Sequence, residues 1–270
     1  MKKFLVIGNP IEHSLSPALH NYWIKSNGID AIYEKQKIVE GELEQLIAQI
    51  KKKKIDGINV TVPFKKIIIP FLDELSVEAK NTQSVNTLYL KDNKVVGHNT
   101  DIIGFETSIN KSKYDVFNKE VLILGAGGVV PSIIFALNKM KVSKIKVSNR
   151  TKEKAEDLKK IFKNIELIEW GEIPNFDIII NATSVGLKED DNLKLDFSLI
   201  YGNKFFYDVI YNPSETNFLK IGKNVGGQTL NGKLMFIYQA LSAFNIWHGI
   251  KPTVDENIIK LLDKWLESEF

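Results

Sequence analysis

An uninterrupted apolar run, Val121-Leu122-Ile123-Leu124, passes directly into Gly125-Ala126-Gly127-Gly128 and then into a helical pattern. A short run that is apolar at every position suits a central strand covered on both faces, which implies a sheet with helices on each side. Glycines at its end permit a tight turn and a close approach of backbone to ligand, and the N–H groups opening the next helix attract anions. A dinucleotide pyrophosphate requires this context, and an ordinary strand-to-helix turn is compatible with the same residues. The third position of the glycine pattern is Val130 rather than Gly or Ala, and the following Pro131 is tolerated in a first helical turn.

The same alternation runs along the chain. Phe4–Ile7, Ile58–Val62, Val121–Leu124, Ile145–Ser148, Asp177–Ile180 and Phe205–Val209 read as strands. Pro17–Ser26, Glu42–Lys53, Val129–Lys139 and Lys152–Phe162 read as helices. This order predicts an α/β architecture with parallel sheets and right-handed crossovers. The first hundred residues and the stretch from about 119 to 228 each form one set of such units, which agrees with the two domains expected of 270 residues. Thr100–Ser112 reads as a helix linking them, with polar Asn110–Lys119 following. The tail reads as two helices, Leu230–Ile246 and Val254–Glu267; with no strand of its own it must pack on one of the two sheets.

Composition removes several classes of function. A net charge of +3 is too small to suggest a nucleic-acid binder. With no cysteine, disulfides, Cys–zinc sites, iron–sulfur clusters and thiol nucleophiles are excluded. His13, His20, His98 and His248 form no ligand-spaced set, so no metal is expected. The apolar start ends at Gly8-Asn9-Pro10, too early for a secretory signal, and no run approaches a membrane span. A cytoplasmic protein is the expectation.

Arg150 is the single arginine among 36 basic residues. A bias of composition toward lysine explains the scarcity, but not the position. Lys144–Ser148 ends at Asn149-Arg150-Thr151, where an NAD site places an acid on the ribose 2′-hydroxyl. No acid stands there. An arginine at this point can stack on adenine and grip a 2′-phosphate, with Lys152 and Lys154 following. The simpler alternative is a solvated helix start.

Polar loops punctuate the N-terminal part. Gly8-Asn9-Pro10-Ile11-Glu12-His13-Ser14-Leu15-Ser16-Pro17 puts two serines just before a helix, where Ser16 would ordinarily be a cap. Two hydroxyls at i and i+2 can also bind an anion without a cation. Lys65 and Lys66 follow the strand at Ile58 and would ordinarily be surface lysines, and Asp101 would by position cap the helix it opens.

Together these loops resemble the shikimate dehydrogenase family. The resemblance rests on Gly8 to Asn21, Asn59 to Lys65, Val85-Asn86-Thr87, Asn99 to Gly104, Gly125 to Gly128 and Asn149-Arg150-Thr151. It continues through Asn181 to Gly186, Tyr211 to Leu219 and Asn231 to Ala240, in the family's order and over nearly the whole chain. It implies reversible NADPH-dependent reduction of 3-dehydroshikimate to shikimate, a step of aromatic amino-acid biosynthesis. The implied fold is an N-terminal α/β substrate domain, residues 1–104 with 238–270, and a Rossmann NADP-binding domain, residues 105–237. The C-terminal helices then return to the first domain.

By resemblance, Lys65 and Asp101 are the catalytic pair. A lysine can donate the proton at the substrate oxygen and stabilise negative charge developing there, and a carboxylate beside it favours the ammonium form. Ser14 and Ser16, with Thr61 and Tyr211, match ligands of the substrate carboxylate, while Asn86, Asp101 and Gln239 match partners of the ring hydroxyls. Cofactor positions by resemblance are Gly125, Ala126, Gly127, Gly128, Val129, Asn149, Arg150, Thr151, Lys154, Thr183, Val209 and Gly232. For Asn181-Ala182-Thr183-Ser184 the alternative is a strand end capping a turn. The chain departs from the family at Val129-Val130-Pro131-Ser132, where small and then basic residues are usual, and at Lys233, where an apolar residue is common. Other implied readings are a quinate/shikimate dehydrogenase, often NAD-dependent, and a non-catalytic NADP-sensing module, which has no reason to keep Lys65, Asp101 and Gln239 together. Glutamyl-tRNA reductase, with a related cofactor domain, needs a cysteine that this chain lacks. The implied partner is a small-molecule substrate, with no nucleic acid or membrane, on a monomer or homodimer.

Overall fold

In the computed structural model, which describes residues 1–188 and 190–268 (side chains of 267 and 268 excepted), buried Phe4-Leu5-Val6-Ile7 is the middle of the first strand, β1 (Lys2–Gly8). Helix α1 (Ser16–Ser26) follows and buries Leu19, His20, Trp23 and Ile24 along one face. In β2 (Ala31–Lys37), an edge strand, only Tyr33 is fully buried. Helix α2 (Leu43–Lys51) buries Leu43, Leu46, Ile47 and Ile50, the 3–4 spacing of an amphipathic helix. Strand β3 (Gly57–Val60), buried throughout, leads into the short α3 (Phe64–Ile67). Then come β4 (Glu74–Leu75), α4 (Val77–Thr82), whose N-cap Ser76 accepts from Ala79 N–H, and the hairpin β5 (Thr87–Lys91) and β6 (Lys94–His98).

These six strands form one sheet in the order β2-β1-β3-β5-β6-β4. Strand β1 is parallel to β2 and β3, but β5 is antiparallel to both β3 and β6. The sheet is therefore mixed, not parallel as the alternation predicts. The cause is local: Asp92 and Asn93, between β5 and β6, both have positive φ, 51° and 61°. Two such residues in a row make a hairpin turn that matches the strand twist.

Helix α5 (Asp101–Ser112) leads into the second sheet. Its elements are β7 (Glu120–Leu124), α6 (Val130–Lys139), β8 (Lys144–Ser148), α7 (Lys152–Ile161), β9 (Ile165–Ile168), β10 (Ile178–Asn181), β11 (Phe205–Asp208), α8 (Asn217–Asn224) and β12 (Gln228–Leu230). The order β12-β11-β10-β7-β8-β9, parallel throughout, is that of the Rossmann fold, with its switch point between β7 and β10. The apolar run of β7 divides between two cores. Val121 and Ile123 pack with Ile133 and Leu137 of α6, while Leu122 and Leu124 pack with Phe206, Phe218 and Leu219. Each such side chain contributes about 1.5–3 kcal/mol on burial.

Leu230, expected in a helix, ends β12, and α9 (Lys233–His248) begins three residues later, followed by α10 (Glu256–Ser268). Trp247 of α9 occupies the space left by Gly57: a Cβ there would lie 2.3 Å from the indole nitrogen, which donates to Leu88 C=O at 3.0 Å. Trp265 of α10 meets Tyr22 of α1 edge-on, with centroids 6.2 Å apart. By its contacts the chain divides into two units, Met1–Asp101 with the segment from Ile237 onward, and Ile102–Phe236. No described helix is long and apolar enough to cross a membrane, and the described residues hold no cluster of metal ligands.

Candidate active site

In the first unit the candidate residues lie at one end of the strands of the mixed sheet. Ser14 and Ser16 follow β1, Thr61 and Lys65 follow β3, Asn86 precedes β5 and Asp101 lies just past β6. The antiparallel register that pairs Asn59 with Thr87, and Thr87 with His98, brings the last three segments together. Lys65 Nζ lies 2.6 Å from Asp101 Oδ2, and their side chains are 12% and 7% exposed. Asn86 Nδ2 donates to the other carboxylate oxygen, Oδ1, at 2.9 Å. Asn86 Oδ1 is itself held by Thr100 N–H at 2.7 Å and by the hydroxyls of Thr87 and Thr100. Removing one partner of a buried pair like this leaves an uncompensated charge, at a cost of about 3–5 kcal/mol.

The Asp101 carboxylate therefore turns to Lys65 and Asn86, and it is Asn99 Oδ1 that accepts the Asp101 backbone N–H at the helix start, at 3.1 Å. Nor does Ser16 cap α1: Leu15 holds the N-cap position with no side-chain bond, and Ser16 N–H donates to Ser14 Oγ at 3.4 Å. Gln239 lies on α9 in this unit. Tyr211 belongs to the other unit, where its ring stacks on Phe236 with centroids 4.9 Å apart.

In the second unit every candidate follows the C-terminal end of a strand, on both sides of the switch point, where open α/β sheets bind ligands. Gly125 has φ +112°, and an added Cβ would lie 2.7 Å from Ala182 C=O, so only glycine serves there. A Cβ on Gly127 would find nothing nearer than Ala182 O at 3.8 Å, so the turn is open above this residue. Ala126 and Gly128 complete the turn, and Val129 is the N-cap of α6. Asn149 Nδ2 donates to Thr151 C=O at 2.6 Å, and Thr151 is the N-cap of α7. Arg150 is exposed, and neither it nor Lys154 forms an ion pair among the described residues, whereas Lys152 is engaged by Glu169 at 3.1 Å. Gly232 lies against the residue that follows β11: a Cβ there would be 2.0 Å from Val209 C=O. An open glycine turn at a helix start and two uncommitted cations at the end of β8 fit a dinucleotide carrying a 2′-phosphate.

Thr183 is engaged inside its own loop. Its hydroxyl donates to Asn181 Oδ1 at 2.7 Å and accepts from Val185 N–H at 3.0 Å. Behind it lies a group that sequence reasoning passes over, Asp208. Thr216 Oγ donates to its carboxylate at 2.6 Å, Ile210 N–H at 3.0 Å and Asn181 Nδ2 at 3.1 Å. Burial pushes the Asp208 carboxyl up to about 6, against these hydrogen bonds. Asn59 is passed over likewise: it accepts from the Tyr33 hydroxyl at 2.7 Å and donates to Asn86 C=O and Thr87 Oγ. The available signal was a polar residue inside or ending a buried apolar strand, as in Ile58-Asn59-Val60 and Phe205-Phe206-Tyr207-Asp208.

A Rossmann unit open to a dinucleotide, on one chain with an α/β unit holding a buried lysine–carboxylate pair, defines a pyridine-nucleotide dehydrogenase of two domains. Two family models match: the shikimate dehydrogenase substrate binding domain over residues 6–88, and shikimate / quinate 5-dehydrogenase over residues 108–188. The NADP(+)-dependent shikimate dehydrogenase of Pelagibacter ubique strain HTCC1062 is 62% identical, covering 97% of this chain and 99% of its own length. A crystal structure of shikimate dehydrogenase from Aquifex aeolicus superposes with a TM-score of 0.88 at 39% identity, covering 96% of each chain. A shikimate dehydrogenase solved in complex with NADP+ gives 0.91 at 35% identity, over 98% of this chain and 96% of that one. This chain belongs to the shikimate dehydrogenase family.

Proposed function

We propose that this chain catalyses the reversible, NADP-dependent interconversion of shikimate and 3-dehydroshikimate, with Lys65 and Asp101 serving the proton at the reacting oxygen. The carrying observation is the 2.6 Å contact between a largely buried lysine and a carboxylate whose second oxygen is held by Asn86. In reduction of the ketone the Lys65 ammonium donates to the oxygen as negative charge builds on it, and in oxidation the lysine takes the proton back. Asp101 fixes the ammonium in place. NADPH, when bound, supplies the hydride. Ser14, Ser16 and Thr61 offer hydroxyls to the substrate carboxylate, and Asn86 and Gln239 address the ring hydroxyls. Gly125 to Val129 would hold the pyrophosphate of the cofactor, and Asn149 to Thr151 with Lys154 its 2′-phosphate, while Thr183, Val209 and Gly232 line its remaining length.

The first unit with the C-terminal helices is thus the substrate domain, and the second the cofactor domain. Uncommitted Arg150 and Lys154 at the end of β8 favour NADP over NAD, and with it the shikimate enzyme over a quinate-oxidising relative. The test follows the absorbance of the reduced nicotinamide with shikimate and quinate, each with NADP and NAD. Turnover of shikimate with NADP far above the other three combinations is expected; no turnover of shikimate with either cofactor would overturn the proposal.

A further inference from the structure

The Lys65–Asp101 pair is the end of a hydrogen-bond chain that begins in the core of the first unit, at Tyr33. This residue is 1% exposed. Its backbone is clamped by the Asn21 side chain, which accepts from Tyr33 N–H at 2.9 Å and donates to Tyr33 C=O at 2.8 Å. Its ring lies flat on His20, centroids 4.1 Å apart and planes within 5°. The phenol therefore has one position. It donates to Asn59 Oδ1 at 2.7 Å.

Polarity passes along this chain. A phenol can donate or accept, but the Asn86 C=O that faces the other end of the Asn59 amide only accepts, so Asn59 Oδ1 is the end that takes the Tyr33 proton. Asn59 Nδ2 is then turned to Asn86 C=O at 3.0 Å and Thr87 Oγ at 3.1 Å. Thr87, receiving at its oxygen, has its own proton free for Asn86 Oδ1 at 3.0 Å. That orientation of Asn86, shared with Thr100 N–H, leaves Asn86 Nδ2 to hold Asp101 Oδ1. Asp101 Oδ2 then faces Lys65.

We propose that Tyr33 is a positioning residue of the substrate site, its hydroxyl holding Asn59 at the head of the hydrogen bonds that orient Asn86 and Asp101. The proposal rests on the reading of Lys65 and Asp101 as the catalytic pair. Burial holds the phenol well above its ordinary range, so the donor is present at any working pH. Because Asn86 Oδ1 keeps the Thr100 N–H and hydroxyl as donors, loss of the Tyr33 proton loosens the chain without dismantling it. The expected effect is that of one hydrogen bond, roughly five- to tenfold.

Tyr33→Phe removes the proton and keeps the ring. Its kcat/KM for shikimate should fall roughly five- to tenfold while NADP affinity, read by direct titration, is unchanged. Unchanged kcat/KM in a wild-type background that oxidises shikimate overturns this proposal alone, and a wild-type enzyme inactive on shikimate overturns it together with the function it rests on. A second pair keeps the test sound should Tyr33→Phe fail to fold. At position 33, 4-aminophenylalanine retains a donor and 4-fluorophenylalanine does not. The amino variant should recover most of the lost kcat/KM; equal deficits in the two would overturn the assignment, because they would trace the loss to packing.

Discussion

His20 in the first unit and Asp208 in the second are both buried without a counter-ion, yet they place opposite demands on pH. His20 is enclosed by Tyr33, Trp23, Phe244 and Trp247, and neither ring nitrogen has a hydrogen-bond partner among the described residues. Burial brings its pKa down to about 3. Asp208 is surrounded by neutral donors instead, and burial raises it to about 6. Lys65 and Asp101 show a third solution, in which each charge answers the other across 2.6 Å. The lesson is where each unit can tolerate a charge. The aromatic box of the first gives neither imidazole nitrogen an acceptor, the strand ends of the second offer only neutral donors, and at the candidate catalytic pair both partners are charged and largely buried.

The largest consequence concerns His20. Unfolded, it titrates near 6.5; folded, near 3. Above pH 6.5 both states are neutral, and below it the unfolded state binds the proton first, so stability is lost as pH falls from 6.5 to about 3. The full difference amounts to ~5 kcal/mol. Urea titrations from pH 7 down to pH 4 should show this loss, and His20→Leu should flatten it. An unaltered slope in the variant would show that the box does not control the titration.

Next in size is the compensated pair. Lys65→Ala should lower kcat for shikimate by about three orders of magnitude, within the span of a general acid–base group. NADP affinity should hold, since the substitution lies in the other unit from the glycine turn. A fall in both together would mean that the pair supports the fold rather than the proton transfer.

Asp208 supplies the opposite slope. Its folded value lies above its unfolded one, so its contribution is complete below about pH 4 and is lost as pH rises through about 6, ~3 kcal/mol in all. This partly offsets the His20 slope in the wild type. In Asp208→Asn stability should therefore fall more steeply with falling pH between 6 and 4. Identical slopes in the two proteins would remove Asp208 from the balance.

The two units also differ in how openly the sequence declares them. The second is readable because β7, β10 and β11 are central strands with both faces covered, so their apolar runs are continuous. In the first, β2 is an edge strand that buries only Tyr33, and β5 and β6 depend on a turn at Asp92-Asn93 with no glycine to mark it. The candidate site was less open still. Lys65 and Asp101 are 36 positions apart and read singly as a surface lysine and a helix cap; the antiparallel register of β3, β5 and β6 joins them, and strand periodicity carries no such information. Family resemblance picked out these two residues, whereas Tyr33 and Asp208 carry no motif of their own, and the part played by Asn59, which opens the Asn59–Lys65 motif, emerges only from its hydrogen bonds.

The smallest of these effects tests charge that is left free rather than buried. Lys152 is engaged by Glu169, while Arg150, just before it, is exposed and unpaired among the described residues. A cation held in a surface ion pair has little to offer a phosphate, and one left free can form charge-assisted bonds to it. Arg150→Ala should therefore weaken NADP binding by about 1.5–3 kcal/mol, the scale of a hydrogen bond to a charged group, and leave NAD binding nearly untouched. Titration with both cofactors decides the matter. Equal losses would reduce Arg150 to a support of the α7 start, whereas a loss confined to NADP would tie the chain's single arginine to the phosphate that distinguishes the two cofactors.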